Sequence, residues 1–166
     1  ALVRASINSL ATNIPVELIV QLVKYQKWTF QQGLVYARQN PNVFIRADTL
    51  VRLATETDTP TDLLDQAVVE ALASARALDY SSNRAKLLAD LAPHMPQQER
   101  PLALDEALVA AQALEWEWER SGPLRALAPH LPEAVFAAIQ PFGDSWPRAG
   151  VLAALARYRP EAVLAT

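Results

Sequence analysis

Two histidines, His94 and His130, are the first residues of this chain that could bind a metal ion or move a proton. They occupy the same place in two copies of the pattern A-P-H-x-P, 36 residues apart. A zinc site needs several nitrogen, sulfur or carboxylate ligands that converge, and the chain has no cysteine and no H-E-x-x-H spacing. A position that is filled alike in successive repeats favours a structural role, such as a ring that satisfies the last-turn carbonyls of a helix. We therefore expect neither a metal ion nor a cofactor here, with a ligand role as the alternative.

The other residue types that carry out catalysis do not occur in their usual patterns. The chain has no G-x-S-x-G, no Walker-type glycine loop and no G-x-G-x-x-G. Its paired carboxylates, Asp62 with Asp65 and Asp105 with Glu106, fall at expected helix starts, where acids act as caps and suit the helix dipole. General acid–base catalysis needs an enclosed site with shifted pKa values, and no pattern indicates one. We therefore expect a protein that is not an enzyme.

Arginine recurs at one position of an internal repeat. The repeat arginines are Arg46, Arg84, Arg120 and Arg148. They could form a basic stripe that clamps phosphates or acidic segments. Acids stand four or five residues earlier in three copies, at Asp79, Glu115 and Asp144, so structural ion pairs are the favoured interpretation. We expect the cations that lie outside this register to be solvated: Arg52, Lys86, Arg125, Arg157 and Arg159.

Aromatic residues are the best candidates for a binding surface. Two of them stand four residues before a repeat arginine and two stand two residues before one: Tyr80 and Trp116, then Trp118 and Trp146. We expect them in the loops that lead into the next helix, where tryptophan is typical of interaction hot spots. The alternative is that they fill gaps between successive repeats. The run WEWE at 116–119 is the first candidate for a partner contact, and Trp28 with Phe30 is the second.

The repeat itself determines which elements must position these residues. Its copies are RADTLVRLATETDTP (46–60), RAKLLADLAPHMP (84–96), RSGPLRALAPHLP (120–132) and RAGVLAALARYRP (148–160). Apolar residues also recur six, nine and twelve positions before the arginine, which indicates a second helix in register. Each unit is therefore a helix A that begins at the arginine, a proline turn, a helix B and a short loop. Neither helix can bury its apolar face alone, so neighbouring hairpins must pack on each other.

This pattern predicts an all-α fold of antiparallel helical hairpins, stacked as a short right-handed α-solenoid. We expect a single helical-repeat domain over 1–166, with a degenerate N-terminal region (1–45), units 46–83, 84–119 and 120–147, and a truncated repeat (148–166). Thr29 and Gln32 have the spacing of a capping box and predict a helix over 30–39. Pro141 must shorten the third helix B near Gln140. Because the chain starts at Ala1 and its last residues copy the start of a helix B, we expect a fragment of a larger protein.

Composition narrows the class of partner. Hydrophobic residues make up 51% of the 166 residues, enough for a sizeable core. The net charge of −3 and the pI of about 5.4 provide no general attraction to nucleic acid or to anionic membranes. No apolar run approaches the roughly 20 residues of a membrane span. The cytoplasm is the default localisation, and the oligomeric state is left open.

The frame R-A-x-x-L-x-x-L-A-P-H-L-P, preceded at 75–84 by A-R-x-L-D-x-x-x-x-R, resembles degenerate HEAT- and TPR-like repeats. Such repeats occur in the C-terminal arrays of bacterial STAND (NACHT-type) signalling proteins. The resemblance covers most of residues 30–166, and the W-x-x-L-G-x-x-Y signature of TPR proteins is missing.

This resemblance implies a scaffold or sensor segment that binds another protein, or another domain of the same chain, without a cofactor. One alternative is a regulatory domain that binds a small ligand in a concave groove near His94, His130 and the tryptophans. The second alternative is a helical repeat that binds nucleic acid, which the net negative charge of the chain disfavours.

Overall fold

The computed structural model describes residues 14–57, 61–143 and 145–160, and this part of the chain is all-α. Its helices are α1 (Val16–Lys24), α2 (Phe30–Gln39), α3 (Val43–Glu56), α4 (Thr61–Arg76), α5 (Ser81–Leu91), α6 (Arg100–Gln112), α7 (Glu117–Leu127), α8 (Pro132–Ala138) and α9 (Trp146–Leu155), with a 3-10 turn (Ala92–His94) after α5. The start of the degenerate first repeat and the helix expected after Pro160 lie outside the described residues. None of the described helices is long and apolar enough to cross a membrane.

Contacts divide the chain into two compact units. Unit 1 is Ala1–Leu78 and unit 2 is Asp79–Thr166. In unit 1, α3 packs on α1, α2 and α4. In unit 2, α5 packs on α7 and α7 packs on α9, while α6 lies against α5 and α7. Successive helices A of unit 2 are therefore direct neighbours.

Helix boundaries in unit 1 follow from capping chemistry. The Gln32 main-chain N–H donates to Thr29 Oγ1 (3.2 Å) and the Thr29 N–H donates to Gln32 Oε1 (2.8 Å), so the predicted capping box is present. Helix α2 spans the predicted residues, 30–39. Asn42 caps α3 by accepting a hydrogen bond from the Ile45 N–H at 3.1 Å. Each cap satisfies a main-chain donor that the first turn of a helix leaves without a partner.

Equivalent positions of the repeat are buried alike. The leucines seven residues after the repeat arginine are all 0% exposed: Leu53, Leu91, Leu127 and Leu155. The residues nine before it are at most 1% exposed: Ala37, Ala75, Ala111 and Ile139. Burial that recurs in register across both helices of a unit is compatible with a helical repeat. The third helix B is short as predicted, because α8 ends at Ala138, ahead of Pro141.

Helix A begins earlier than the repeat indicates, and this changes the role of its arginine. Arg84 and Arg120 are the fourth residues of α5 and α7 rather than the first. The arginines donate to main-chain carbonyls six residues back: Arg46 Nη1 to Asn40 (2.8 Å), Arg120 Nε to Leu114 (2.6 Å) and Arg148 Nη1 to Phe142 (3.2 Å). These carbonyls follow the end of a helix B, where main-chain acceptors lack partners and a positive charge is favoured. Each arginine therefore ties the end of one helix to the start of the next.

At Arg120, a main-chain contact takes the place of the expected ion pair. Arg120 reaches Glu115 through the main-chain carbonyl of that residue, at 3.4 Å, and not through its carboxylate. Arg84 Nη2 lies 3.4 Å from Ser81 Oγ, one turn earlier on its own helix. Asp144, the acid expected to pair with Arg148, lies outside the described residues. The partner of Arg120 differs from the expected one because the start of its helix faces the carbonyls that follow the preceding helix.

Candidate protein-interaction surface

Four aromatic side chains lie at the N-terminal ends of the helices A of unit 2, and we call them the aromatic edge. Tyr80 and Trp116 are the residues just before α5 and α7, Trp118 is the second residue of α7, and Trp146 is the first residue of α9. Their exposed fractions are 51%, 55%, 61% and 76% in that order. Half or more of each side chain is therefore open to solvent, whereas packing between repeats would cover it.

Polar contacts tie the starts of these three helices together. The Tyr80 hydroxyl, ahead of α5, donates to Glu119 Oε1 in the first turn of α7 at 3.2 Å. Glu117, the first residue of α7, accepts from the Gly143 N–H at 3.0 Å and from Ser145 Oγ at 2.8 Å. Both residues precede α9. The segment 116–119 is thus linked on one side to α5 and on the other to α9, which gathers the aromatic edge on one side of unit 2.

Two of the four residues of the aromatic edge, Tyr80 and Trp116, occupy positions where helices normally carry a cap. Asn42 stands four residues before its repeat arginine and caps α3; Tyr80 and Trp116 hold the same place and make no capping hydrogen bond. Ser145, ahead of α9, uses its hydroxyl on Glu117 and does not cap either. A side-chain cap contributes about 1 kcal/mol to helix stability. Bulky aromatics in these places therefore break a local rule of helix formation, as residues selected for function often do.

Electrostatics leave the aromatic edge acidic at neutral pH. The Gly143 N–H and the Ser145 hydroxyl, and then the charges of Arg120 and Arg148, hold the pKa of Glu117 below its ordinary value. Its carboxylate is therefore ionised at neutral pH. Loss of hydration and the bond to Glu119 raise the pKa of the Tyr80 hydroxyl, so it remains a donor. Asp79 and Glu115, next to Tyr80 and Trp116 in the chain, are exposed.

Trp28 belongs to unit 1, in the turn between α1 and α2. Its ring stacks on Tyr36, with centroids 4.6 Å apart and planes 27° from parallel, and it is half-buried. Phe30, the first residue of α2, is only 6% exposed. Trp28 therefore already has an intramolecular partner for one face of its indole ring.

The histidines are placed differently from each other. His94 is exposed at the end of the 3-10 turn, whereas His130 is half-buried. Burial, and then the charge of Arg100, lower the pKa of His130, while the charge of Asp90 and the main chain of Ala89 oppose this shift. Ala89 and Asp90 lie in the last turn of α5, so the ring of His130 is close to the end of a neighbouring helix. Among the described residues, no group of three or more His, Asp or Glu side chains is placed to hold a metal ion.

One exposed aromatic residue was missed although the same count finds it. Phe44 stands two residues before Arg46, in register with Trp118 and Trp146, and is 38% exposed. It belongs to α3 of unit 1. The sequence signal for Phe44 is its position two residues before Arg46, the arginine of the weakest repeat copy.

An open groove between α7 and α9 was also missed. It has a volume of about 520 Å³ and is lined by Arg125, Pro129, Gly150, Ala153, Ala154, Arg157 and Tyr158. The sequence signal was the three- and four-residue spacing of Gly150, Ala153 and Arg157, which places them on one face of a helix. Arg125 and Arg157 are exposed, as expected for residues outside the repeat register, and they also line this groove.

Comparisons with known proteins identify no relative of this chain. No family model matches this chain, and no curated protein or solved structure is significantly similar to it. The resemblance to HEAT- and TPR-like repeats therefore rests on the repeat motif, and function has to be inferred from the geometry of the chain's own residues.

Proposed function

We propose that this chain is a non-catalytic helical-repeat module that binds another protein, or another domain of its own chain, through the aromatic edge. One observation carries the proposal: four aromatic side chains, each at least 51% exposed, lie at the starts of three neighbouring helices. The packing of α5 on α7 and of α7 on α9 supports a short right-handed α-solenoid of the HEAT- or TPR-like kind, in which these are successive helices A.

Exposed aromatic side chains of this kind favour contact with a protein partner over contact with water. Tryptophan and tyrosine bury a large area with few rotatable bonds, so they are enriched at binding hot spots. At Tyr80 and Trp116 they also replace helix caps, and the fold gains no capping hydrogen bond from them. The carboxylates of Asp79 and Glu115 flank them and favour a partner that carries positive charge.

The small-ligand alternative centred on the histidines has less support. His94 is exposed and His130 is half-buried, and neither histidine lines the groove of about 520 Å³ between α7 and α9. A small ligand in that groove would therefore be held by other residues.

The test compares two double variants that each truncate two exposed apolar side chains of unit 2. Trp118→Ala with Trp146→Ala truncates the aromatic edge. Leu102→Ala with Val109→Ala truncates two side chains of α6 that are 60% and 66% exposed. The partner is first captured with the unaltered chain, and its binding is then measured with both proteins purified. We expect this partner to bind the first variant at least tenfold more weakly than the unaltered chain, and to bind the second variant with unchanged affinity.

Circular dichroism and urea unfolding must first show that both variants fold. A folded edge variant that binds the purified partner as tightly as the unaltered chain would refute the proposal.

A further inference from the structure

Two arginines that the other copies of the repeat do not share line the groove between α7 and α9. At five residues after the repeat arginine the copies of unit 2 read Ala89, Arg125 and Ala153, and at nine residues they read Pro93, Pro129 and Arg157, whereas the first copy has Val51 and Thr55. Arg125 comes from α7, and Arg157 follows α9. The groove therefore carries two guanidinium groups at positions where no other copy has a cation.

Small residues make the floor of this groove. Gly150, Ala153 and Ala154 lie on α9 at helical spacing, and Arg125 approaches them from α7 at Gly150. Its Cδ would be 3.9 Å from a Cβ at position 150. Tyr158, 49% exposed, lines the same groove. It stands ten residues after its arginine, where the preceding copy has His130. The groove thus combines a flat apolar floor, an aromatic ring and two cations.

No carboxylate balances these cations in the part of the chain that the structure describes. Arg125 and Arg157 are both exposed and form no ion pair among the described residues. Arg159, two residues further on, pairs with Glu133 at 2.6 Å and covers the Phe136 ring. Basic character is thus concentrated in one groove of a chain whose net charge is −3.

We propose that this groove binds a small organic phosphate, with Arg125 and Arg157 on the phosphate and the organic part on the Gly150–Ala153 floor beside Tyr158. A phosphate monoester carries close to two negative charges at neutral pH, which matches two guanidinium groups, whereas a single carboxylate leaves one of them unbalanced. Arginine binds phosphate oxygens through two parallel N–H donors. The volume of about 520 Å³ lies within the range of small-molecule sites.

The experiment titrates the purified full chain at constant ionic strength with phenyl phosphate, inorganic phosphate, benzoate and benzyl alcohol, followed by amide chemical shifts and calorimetry. We expect phenyl phosphate to bind saturably and more tightly than the other three, with shifts centred on Gly150 and Tyr158. Arg125→Gln and Arg157→Gln should each weaken binding about tenfold or more, because each removes charge-assisted hydrogen bonds. Tyr158→Ala should remove the advantage of phenyl phosphate over inorganic phosphate.

Two controls separate this site from other effects. Lys86→Gln makes the same change in net charge on α5 and should leave binding unchanged. Trp118→Ala with Trp146→Ala should also leave it unchanged, so that failure of this inference and failure of the aromatic edge are distinguishable.

Three results would overturn the proposal. The first is that phenyl phosphate shows no saturable binding. The second is that Lys86→Gln weakens binding as much as Arg125→Gln or Arg157→Gln does, and the third is that benzoate binds as tightly as phenyl phosphate.

Discussion

A methyl group added at Gly33 measures how closely the helices of unit 1 approach each other. Gly33 is the fourth residue of α2 and is buried. A Cβ at this position would lie 2.8 Å from Val23 Cγ2 on α1 and 3.2 and 3.3 Å from the two Cδ atoms of Leu53 on α3. Val23 is β-branched and stiff, and Leu53 is fully buried. Neither neighbour can give way without moving others, so Gly33→Ala must force the helices apart.

Gly150→Ala provides the matched control. Position 150 lies in the middle of α9, and its Cβ would meet only Arg125 Cδ at 3.9 Å, an ordinary contact. Alanine stabilises a helix interior by about 1 kcal/mol relative to glycine, and this gain applies to both variants. Overpacking costs about 1–3 kcal/mol and applies at Gly33 alone. Gly122 is unsuitable as a control because Pro123 follows it and crowds any Cβ in a helical conformation.

We therefore expect Gly150→Ala to raise the free energy of unfolding by up to about 1 kcal/mol. Gly33→Ala should leave it unchanged or lower it by up to about 2 kcal/mol. Urea unfolding followed by far-UV circular dichroism measures both, and hydrogen exchange assigns each change to α2 or α9. Equal stabilisation by the two substitutions would refute the close packing of α1 and α3 around Gly33.

Two further predictions concern the polar contacts at the helix starts of unit 2. The pKa of Glu117 is lowered in the folded chain. The Glu117 carboxylate therefore stabilises the fold at pH values above its pKa in the unfolded chain, about 4.3, and this stabilisation is lost as the pH falls through its pKa in the folded chain. Glu117→Gln should therefore be less stable than the unaltered chain at pH 7 and equal to it in acid; a pH-independent difference in urea unfolding would contradict this. Arg120→Ala should lower the free energy of unfolding by about 1–3 kcal/mol, because it leaves the Leu114 carbonyl without its charged donor. Arg120→Lys should recover only part of that loss, since an ammonium group cannot reproduce the guanidinium geometry; full recovery would show that charge alone matters.

Local signals in the sequence were sufficient for the helices and for most of the core. The capping box at Thr29 predicted where α2 begins, Pro41 predicted where it ends, and Pro141 correctly shortened α8. These signals depend on residues only three or four positions away, so they can be recognised from the sequence alone. The start of α7 was misplaced because Trp116 precedes it without the side-chain chemistry of a cap. The partner of Arg120 was misassigned because Glu115 is near in sequence, whereas the acceptor depends on how the chain turns between two helices.

The sequence by itself determined that this protein is built of helices whose apolar faces repeat in register. Leucine seven residues after each repeat arginine is buried in every copy, because a repeated pattern requires repeated packing. Only the tertiary structure decided which of the remaining residues meet solvent. It left Trp118 and Trp146 exposed and placed Arg125 and Arg157 on one groove. Exposure and juxtaposition depend on contacts between distant segments of the chain, and spacing along one helix cannot specify them.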